Sequence, residues 1–389
     1  MMGTLQFKRG STMQRVSRFL QRSIKRHLHP FTFTKGKDTI TFFYHTATDF
    51  STFEPIAEEA RSRGHATLLT SDLSAPAKVG IYCQHSPDPS NSEFSVAMLH
   101  DAGQEYWPDR QNLGTNFWRV APWNDFDIGI LPGQTWSRAW RRLANKAYAR
   151  PRLGVFEVGW PKADRIFSSS GQFQAAAQRL RTQIGLSGRP CVILAPSWET
   201  ADKQRLKGFI NRLESLPVDL LVKYWPEIDI DPSWQLNKLT GKYRNVVILD
   251  PRLNILDGLA LTSILVSEES NCMVEAQLFG VPAIGVTDWG IPALPHLGLP
   301  ARACEPPSWS LNVSENGLRH AVETVLQNLD HHRARAVQIR DEQFSNLGRS
   351  ARLFVDILEA ALTRAPWPIA PLVPHRTPST ANHNKAVAA

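Results

Sequence analysis

Cysteine is scarce in this sequence, and its spacing shows no pairs. The 389 residues include four cysteines, and no two of them form a Cys-x-x-Cys pattern. A disulfide framework or a zinc site usually needs closely spaced pairs, so this spacing argues against both and is typical of a reducing compartment. The segment Cys83-Gln84-His85 offers two possible metal ligands, but a second pair at metal-ligand spacing is missing. We therefore predict no metal.

Long apolar runs and the commonest nucleotide-binding signatures are missing as well. No uninterrupted apolar stretch approaches the ~20 residues that a membrane-spanning helix needs. The sequence has no Gly-x-Gly-x-x-Gly, no P-loop lysine and no short internal repeat. Hydrophobic residues make up 42% and charged residues 21% of the chain, as in soluble globular proteins, and the length suggests two domains.

Acidic residues are absent from positions 1–30, which contain seven Lys and Arg residues. This segment supplies most of the net charge of +8, so the rest of the chain is nearly neutral and a broad nucleic-acid surface is not expected. As a helix, residues 13–28 separate an apolar face from a basic one, which favours contact of residues 8–28 with an anionic membrane surface or a partner. A cleaved targeting peptide and a solvated leader helix are the alternatives.

Strands and helices alternate along the remaining chain. Short apolar runs separated by helical patterns predict an α/β protein with two Rossmann-like, doubly wound domains and a cleft between them. The predicted segments are a basic amphipathic leader (1–35), an N-terminal domain (36–165), a C-terminal nucleotide-binding domain (166–345), a C-terminal helix (346–364) and a disordered tail (365–389). The cleft is the expected ligand site.

One stretch, ILVSEESNCMVEAQLFGVPAIGV at 264–286, predicts a complete β-α-β unit. A short apolar strand is followed by Ser270 or Asn271 as helix cap, and Gly280 and Pro282 end the helix. The turn would present free backbone N–H groups at the positive end of a helix, where α/β proteins bind phosphates. Many such turns bind nothing, which is the alternative.

A candidate general base follows an apolar strand in the first half. His100 lies in the segment MLHDAGQEYW at 98–107, where an imidazole facing the cleft would titrate near neutrality. His45, at the end of the first predicted strand, is a weaker candidate. The alternative for both is a structural histidine or a loop hydrogen-bond donor.

Four further side chains of the second half are candidate nucleotide-binding residues. Ser197 could donate to a phosphate and Trp198 could stack on a base or sugar, or they could simply end a strand and fill a gap. Lys223, at a strand end, would meet a diphosphate, unless it is an exposed lysine. Glu275 could accept from two ribose hydroxyls, unless it is a solvated surface glutamate.

Three segments, taken in their order, resemble the CDP-glycerol glycerophosphotransferases, which build teichoic-acid-like polymers. They are Gly-Trp-Pro-Lys-Ala-Asp at 159–164, Ala-Pro-Ser-Trp at 195–198, and Ser-Glu-Glu-Ser-Asn at 267–271 leading to Glu275 and Gly-Val-Pro. The sequence is similar, more loosely, to UDP-N-acetylglucosamine 2-epimerases and other transferases of the two-domain GT-B fold. The resemblance covers about residues 150–290 well and the first half only through His100 and its glycine.

The resemblance implies a GT-B fold and a nucleotide-diphosphate donor held in the cleft without a metal. It implies that His100 is the base, that Ser270 lies at the phosphate position and that Glu275 lies at the ribose position. This sequence departs from the family at Trp225, where the family has a histidine, and at Glu269, where it has a tyrosine. The negative charge of Glu269 would repel a diphosphate unless the side chain points away, so loss of activity stays open.

These observations together predict a transferase that moves a glycerophosphate or sugar group from a nucleotide-diphosphate donor to a hydroxyl of a cell-surface polymer. The predicted acceptor is lipid-linked or polymeric, no cofactor is expected, and the expected location is the cytoplasm, peripherally on the inner membrane face. A UDP-sugar epimerase or glycosyltransferase, and a catalytically silent binding protein of the same fold, are the alternatives.

Overall fold

A computed structural model describes residues 31–83, 89–99, 102, 118, 121–168, 171–196, 203–224, 245–291 and 301–374. Over these ranges the chain forms two parallel six-stranded sheets with helices packed against them, and a short antiparallel pair of strands. The predicted α/β class with two doubly wound sheets is therefore confirmed. None of the helices in the described ranges combines the length and apolarity that crossing a membrane requires.

The first sheet has the spatial order β2-β1-β3-β4-β5-β6, and every pairing in it is parallel. Most residues of its inner strands are buried on both faces, which explains their nearly continuous apolar runs. The order reverses between β1 and β3. The strands are Thr39–Phe43 (β1), Ala66–Thr70 (β2), Ala77–Cys83 (β3), Ser92–Met98 (β4), Ile128–Leu131 (β5) and Gly154–Glu157 (β6).

The second sheet has the order β14-β11-β10-β7-β8-β9, again with every pairing parallel. Numbered within the sheet, this is the 3-2-1-4-5-6 order of dinucleotide-binding folds, which reverses between its first and fourth strands. These two strands are β7 and β10. The strands are Cys191–Leu194 (β7), Asp219–Val222 (β8), Val246–Ile248 (β9), Ile264–Ser267 (β10), Ala283–Val286 (β11) and Leu311–Val313 (β14); Gly290–Ile291 (β12) and Arg302–Ala303 (β13) form the antiparallel pair.

Ten α-helices lie in the described ranges and connect or cover the strands. Several are short, and the 3₁₀ segment Pro161–Ala163 directly precedes one of them between the last strand of the first sheet and the first strand of the second. The helices are Ala47–Ser62 (α1), Gln134–Leu143 (α2), Asp164–Phe167 (α3), Gln172–Gln183 (α4), Lys203–Leu213 (α5), Ile255–Leu259 (α6), Asn271–Gln277 (α7), Leu318–Gln327 (α8), Leu329–Gln343 (α9) and Ser350–Thr363 (α10).

One hydrophobic core cluster joins the two halves of the chain. It includes Leu131 and Trp160 from the first half together with Leu265 and Met273 from the second. Two other clusters lie on the outer faces of the individual sheets. Burial of this shared cluster fixes the two sheets against each other.

The C-terminal helix α10 returns to the first half of the chain and packs on α1. The carboxylate of Asp164 accepts a hydrogen bond from the backbone N–H of Ala351 at 2.6 Å, so it caps the start of α10 from a distant part of the sequence. Burial raises the pKa of Asp164, although hydrogen bonds from this helix start oppose the shift. Near the other end of the helix, Arg63 donates to Asp356 at 2.6 Å and to Glu359 at 2.9 Å.

Residues 365–374, part of the tail that the sequence predicts to be disordered, contact the first sheet. The Trp367 ring lies 4.8 Å from that of Phe156, and the backbone N–H of Leu372 donates to the carbonyl of Val155 at 2.7 Å. The segment thus covers β6, the edge strand of the first sheet, and pairs one of its free backbone groups. The prolines of this segment favour disorder in the sequence, but Trp367 packs on Phe156. Residues 375–389 lie outside the described ranges.

The ionic cluster around Glu359 predicts an acid-sensitive contribution to stability. Burial alone would raise the pKa of Glu359, but hydrogen bonds from His65, Lys35 and Arg63 outweigh it and lower that pKa to about 2, from an ordinary value of 4.5. The stabilisation is therefore complete above pH 4.5 and is lost as the pH falls toward 2. We expect Glu359→Gln to lower the free energy of unfolding by about 1 kcal/mol at pH 7 and by progressively less below pH 4.5.

The measurement is the urea midpoint of both proteins as a function of pH. Glu93→Gln is the control, because the Glu93 carboxylate, which pairs with Lys78, is more exposed to solvent than that of Glu359. A Glu359→Gln deficit that stays constant down to pH 3 would contradict the prediction.

Candidate functional site

The candidate site lies at the carboxyl ends of β7 and β10, where the strand order of the second sheet reverses. Adjacent strands at such a point send their connections to opposite faces, which opens a crevice for a ligand. The two strand ends are held together, because the Ser267 hydroxyl donates to the carbonyl of Ala195 at 2.7 Å and the Ala195 N–H donates to the carbonyl of Val266 at 3.0 Å.

The turn after β10 leads directly into α7, as predicted from the sequence. Ser270 is the N-cap, and its hydroxyl accepts from the backbone N–H of Cys272 at 3.3 Å. The side-chain oxygen of Asn271 accepts from the backbone N–H of Ala102 at 3.1 Å, and the carbonyl of Ala102 accepts from the Trp136 indole. Ala102 follows β4, so the carboxyl edges of the two sheets face each other across this contact.

The negative charge of Glu269 is neutralised within the protein. Its carboxylate forms a two-bond pair with the Arg302 guanidinium, at 2.6 and 2.7 Å, and also accepts from the backbone N–H of Glu305 at 3.1 Å. These hydrogen bonds raise the pKa of Arg302. A bidentate pair of this kind holds both groups in a fixed orientation. The predicted conflict between Glu269 and a bound diphosphate is therefore removed by an arginine from β13.

Glu275 has a partner that the sequence did not reveal. Its Oε1 lies 2.6 Å from the ammonium of Lys162, and both side chains are almost completely buried, at 1% and 4% exposure. The alternative of a solvated surface glutamate is thus wrong. Lys162 belongs to the Gly-Trp-Pro-Lys-Ala-Asp segment, so the pair joins the junction between the halves to the helix that starts at the phosphate turn. This motif was the sequence feature that could have identified Lys162 as a site residue.

Lys223 lies at the same edge of the sheet, at the end of β8 beside β7. It is buried at 3% exposure, and its ammonium donates to the carbonyls of Tyr224 at 2.6 Å and Pro251 at 2.8 Å. Burial lowers its pKa to about 8, with Lys162 adding to the shift and Asp250 opposing it. Lys223 is therefore not an exposed lysine; it is a partly desolvated cation at the end of its strand.

The buried thiol of Cys272 belongs to the structure of the turn. It lies near the hydroxyls of Ser267 and Ser270, and burial raises its pKa to about 12, so it stays protonated and unreactive. In the described part of the chain, no group of three or more His, Cys, Asp or Glu side chains is placed to hold a metal ion.

Several predicted site residues lie outside the described ranges. They are His100, Ser197, Trp198, Trp225 and the leader segment 8–28. Of the predicted residues that are described, Ser270, Asn271 and Glu275 lie together on α7 or its cap, and Lys223 lies at a nearby strand end of the same sheet. His45, at the end of β1, is exposed, and its backbone N–H donates to the Asp49 carboxylate.

No protein-family model and no curated protein sequence matches this chain. Solved structures do. The wall teichoic acid polymerase TagF is 12% identical with a TM-score of 0.55, over 91% of this chain and 99% of that one. A Listeria monocytogenes protein described as a UDP-N-acetylglucosamine 2-epimerase is 11% identical with a TM-score of 0.56, over 88% and 100% of the two chains.

The chain has the GT-B fold. S. aureus MnaA, solved with UDP, agrees with this assignment at 10% identity and a TM-score of 0.54, over 86% of this chain and 100% of that one. The predicted resemblance to glycerophosphotransferases and epimerases is confirmed at the level of the fold. In this GT-B chain, the turn at 267–271 lies at the facing edges of the two sheets.

Proposed function

We propose that this protein is a transferase that binds a nucleotide-diphosphate donor at the carboxyl edge of its second sheet. The observation that carries the proposal is the position of Ser270 and Asn271 at the strand-order reversal between β7 and β10, with Lys223 at the carboxyl end of the neighbouring strand β8. Open α/β sheets bind ligands at this point, outside the carboxyl ends of the strands.

The charges of the described residues support a ligand that bears negative charge. Glu269 and Glu275 are each paired with a cation, whereas the buried Lys223 ammonium is bonded to carbonyl oxygens. A diphosphate near Lys223 would raise the lysine pKa and recover part of the desolvation cost. The α7 helix has only about two turns, so its dipole alone would be a minor contribution.

Proteins of the same fold carry related ligands in their solved structures. A TagF variant was soaked with CDPG, and S. aureus MnaA was solved with UDP. These ligands favour a cytidine or uridine diphosphate compound as the donor here. The order of the three motifs that resemble glycerophosphotransferases favours CDP-glycerol.

In the proposed reaction, His100 takes the proton of an acceptor hydroxyl as its oxygen attacks the glycerol-bearing phosphorus. The new oxygen–phosphorus bond replaces the bond to the departing CMP, whose developing charge is stabilised by Ser270, Asn271 and Lys223. Ser197 and Trp198 are proposed to contact the nucleotide. For Glu275, one carboxylate oxygen is committed to Lys162, so we propose that only the other accepts from the ribose.

The acceptor is proposed to be a lipid-linked or polymeric hydroxyl compound, with residues 8–28 in contact with the inner membrane face. A UDP-sugar epimerase or glycosyltransferase is the second candidate, favoured by the likeness to MnaA and the Listeria protein. A catalytically silent binding protein is the third, and Trp225 is the sequence feature that favours it.

Two substitutions at one position test the proposed phosphate site. Asp and Asn are both good helix caps, so Ser270→Asp and Ser270→Asn should each preserve the start of α7. We expect Ser270→Asp to weaken CDP or UDP binding by about tenfold or more, because its carboxylate would face the diphosphate, while Ser270→Asn stays within about threefold of the wild type. Isothermal titration calorimetry with CDP-glycerol, CDP, UDP-N-acetylglucosamine and UDP provides the measurement.

The nucleosides cytidine and uridine serve as controls, since they carry no phosphate for Asp to repel. Equal affinities of the two variants for CDP and UDP would place the diphosphate elsewhere. Preference for uridine compounds would move the reaction to the epimerase or glycosyltransferase class, and a wild type that binds no nucleotide would exclude both enzymes.

A further inference from the structure

Both backbone polar groups of Ala102 are bound by side chains, one from each half of the chain. Its N–H donates to the side-chain oxygen of Asn271 at 3.1 Å, and its carbonyl accepts from the indole N–H of Trp136 at 2.9 Å. Asn271 begins α7 in the second half, and Trp136 lies in the first turn of α2. Because a backbone N–H and carbonyl are strong hydrogen-bonding groups, the two halves together fix the position of this buried residue.

Trp136 is itself held in place on several sides. Its side chain is buried, and the ring of Trp118 packs against it edge-on at 5.9 Å. At the start of the same helix, the Thr135 hydroxyl donates to the carbonyl of Glu342 in α9 at 3.3 Å. The start of α2 therefore contacts the second half of the chain directly, and the indole N–H is directed at Ala102 from a fixed point.

The bridge lies beside the segment that carries the proposed base. Ala102 follows His100 by two positions in the sequence. On the other side of His100, Leu99 is buried, and its carbonyl accepts from the thiol of Cys83 at 3.7 Å. The described residues on both sides of positions 100–101 are thus buried and hydrogen-bonded. A general base must be held within hydrogen-bond reach of the proton that it takes, so fixed flanking residues serve such a role.

We propose that Trp136 is a positioning residue for the transfer reaction, and that it acts through Ala102. In this assignment, Trp136 and Asn271 together hold the segment that carries His100 at a fixed distance from the donor turn at 267–271. The inference rests on the proposed function, because only a reaction that uses both halves gives this contact a role in turnover. A misplacement of about 1 Å at such a point can slow a reaction by about 100-fold.

Trp140 shows what a purely structural indole bond looks like in the same helix. It is buried to nearly the same extent as Trp136, and its indole N–H donates to the carbonyl of Ala149 at 2.8 Å. Ala149 lies in the turn that leads to β6 and not at the edge that faces the second sheet. Trp136→Phe and Trp140→Phe therefore each remove one buried indole hydrogen bond and keep an aromatic ring, but only the first affects Ala102.

The full chain with either substitution tests the assignment by three measurements. They are the hydrogen exchange of the Ala102 amide, the affinity for CDP by calorimetry, and the release of CMP from CDP-glycerol with glycerol as the acceptor, which also yields a glycerol phosphodiester. For Trp136→Phe we expect amide exchange about tenfold faster and kcat about tenfold lower or less, with the Kd for CDP within about threefold of the wild type. For Trp140→Phe we expect all three within about threefold of the wild type.

A double variant tests whether Trp136 and Asn271 act through the same residue. Asn271→Ala removes the acceptor of the Ala102 N–H, so Ala102 is already displaced in that background. Adding Trp136→Phe should then lower kcat by a further factor of only about two, because the two effects are not independent. If the full tenfold loss recurs in the double variant, the residues act separately and the proposal is overturned.

The remaining outcomes separate this role from the proposed reaction. Equal turnover of Trp136→Phe and Trp140→Phe in an active protein overturns the role of Trp136 alone, and so does an unchanged exchange of the Ala102 amide in Trp136→Phe. A wild type that releases no CMP overturns the proposed transferase and, with it, the role of Trp136.

Discussion

Replacing Lys162 with methionine is expected to lower the free energy of unfolding by about 3–5 kcal/mol, because it leaves Glu275 as a buried carboxylate without its partner. The ammonium and the carboxylate are 2.6 Å apart and nearly free of solvent contact. Methionine has almost the volume of lysine, so the loss of stability reflects the missing charge and not a new cavity. Urea denaturation of wild type and variant at pH 7 measures it.

The double variant Lys162→Met/Glu275→Met is the decisive control. Replacing both partners with apolar side chains of similar size is often close to neutral, since neither charge then has to be desolvated. We therefore expect the double variant to recover most of the stability that the single variant loses, which gives a large coupling energy in a double-mutant cycle. Additive effects of the two substitutions would show that the pair is solvated and that it does not hold the two halves together.

The same variants distinguish a purely stabilising role of Glu275 from a role in binding the ribose. If the double variant is stable but no longer distinguishes CDP from its 2′-deoxy analogue, the carboxylate also contacts the ribose, as proposed above. If the discrimination is unchanged, Glu275 is only part of the joint between the halves. The variants of the Lys162–Glu275 pair therefore provide a direct test of the hypothesis that Glu275 contacts the ribose.

The alternation of strands and helices could be predicted because each buried strand is a short apolar run bounded by turn residues. Errors occurred where local signals conflict. The sequence pattern predicts the first helix at about 53–63, whereas α1 is Ala47–Ser62, and Thr46 with Asp49 forms a capping box at its start. Pro55 lies within this helix, and the packing of Phe53 and Ile56 in the core outweighs the cost of the proline.

The site could be predicted only as far as it is local in sequence. Ser270 and Asn271 follow a strand directly, so their position at the turn could be inferred from the cap and the strand end. The partners Lys162 and Arg302 lie 113 and 33 residues from the carboxylates they bind. Nothing in a single sequence states which distant cation meets which carboxylate, so the neutralised charge of Glu269 became visible only in the fold.

Gly159 shows how the same junction segment depends on backbone contact. It has a φ of +110°, which L side chains rarely adopt, and a Cβ atom there would collide with the backbone carbonyl of Ser345 and with the Ser350 side chain. Ser345 lies shortly before α10 and Ser350 is its first residue, and Asp164 caps the first turn of this helix. The glycine is therefore the point where the C-terminal helix approaches the joint between the two halves.

We expect Gly159→Ala to destabilise the protein by about 3 kcal/mol or more, since backbone strain and overpacking each cost about 1–3 kcal/mol. Gly171→Ala is the matched control: Gly171 also has a positive φ, of +66°, but a Cβ atom there has nothing within 4 Å. Gly171→Ala should lower the free energy of unfolding only through the unfavourable backbone conformation, by about 1 kcal/mol. Thermal and urea denaturation measure both, and amide hydrogen exchange in α10 should rise only in Gly159→Ala. Equal losses in the two variants would mean that residues 345–350 move aside at little cost and that α10 is not held by this approach.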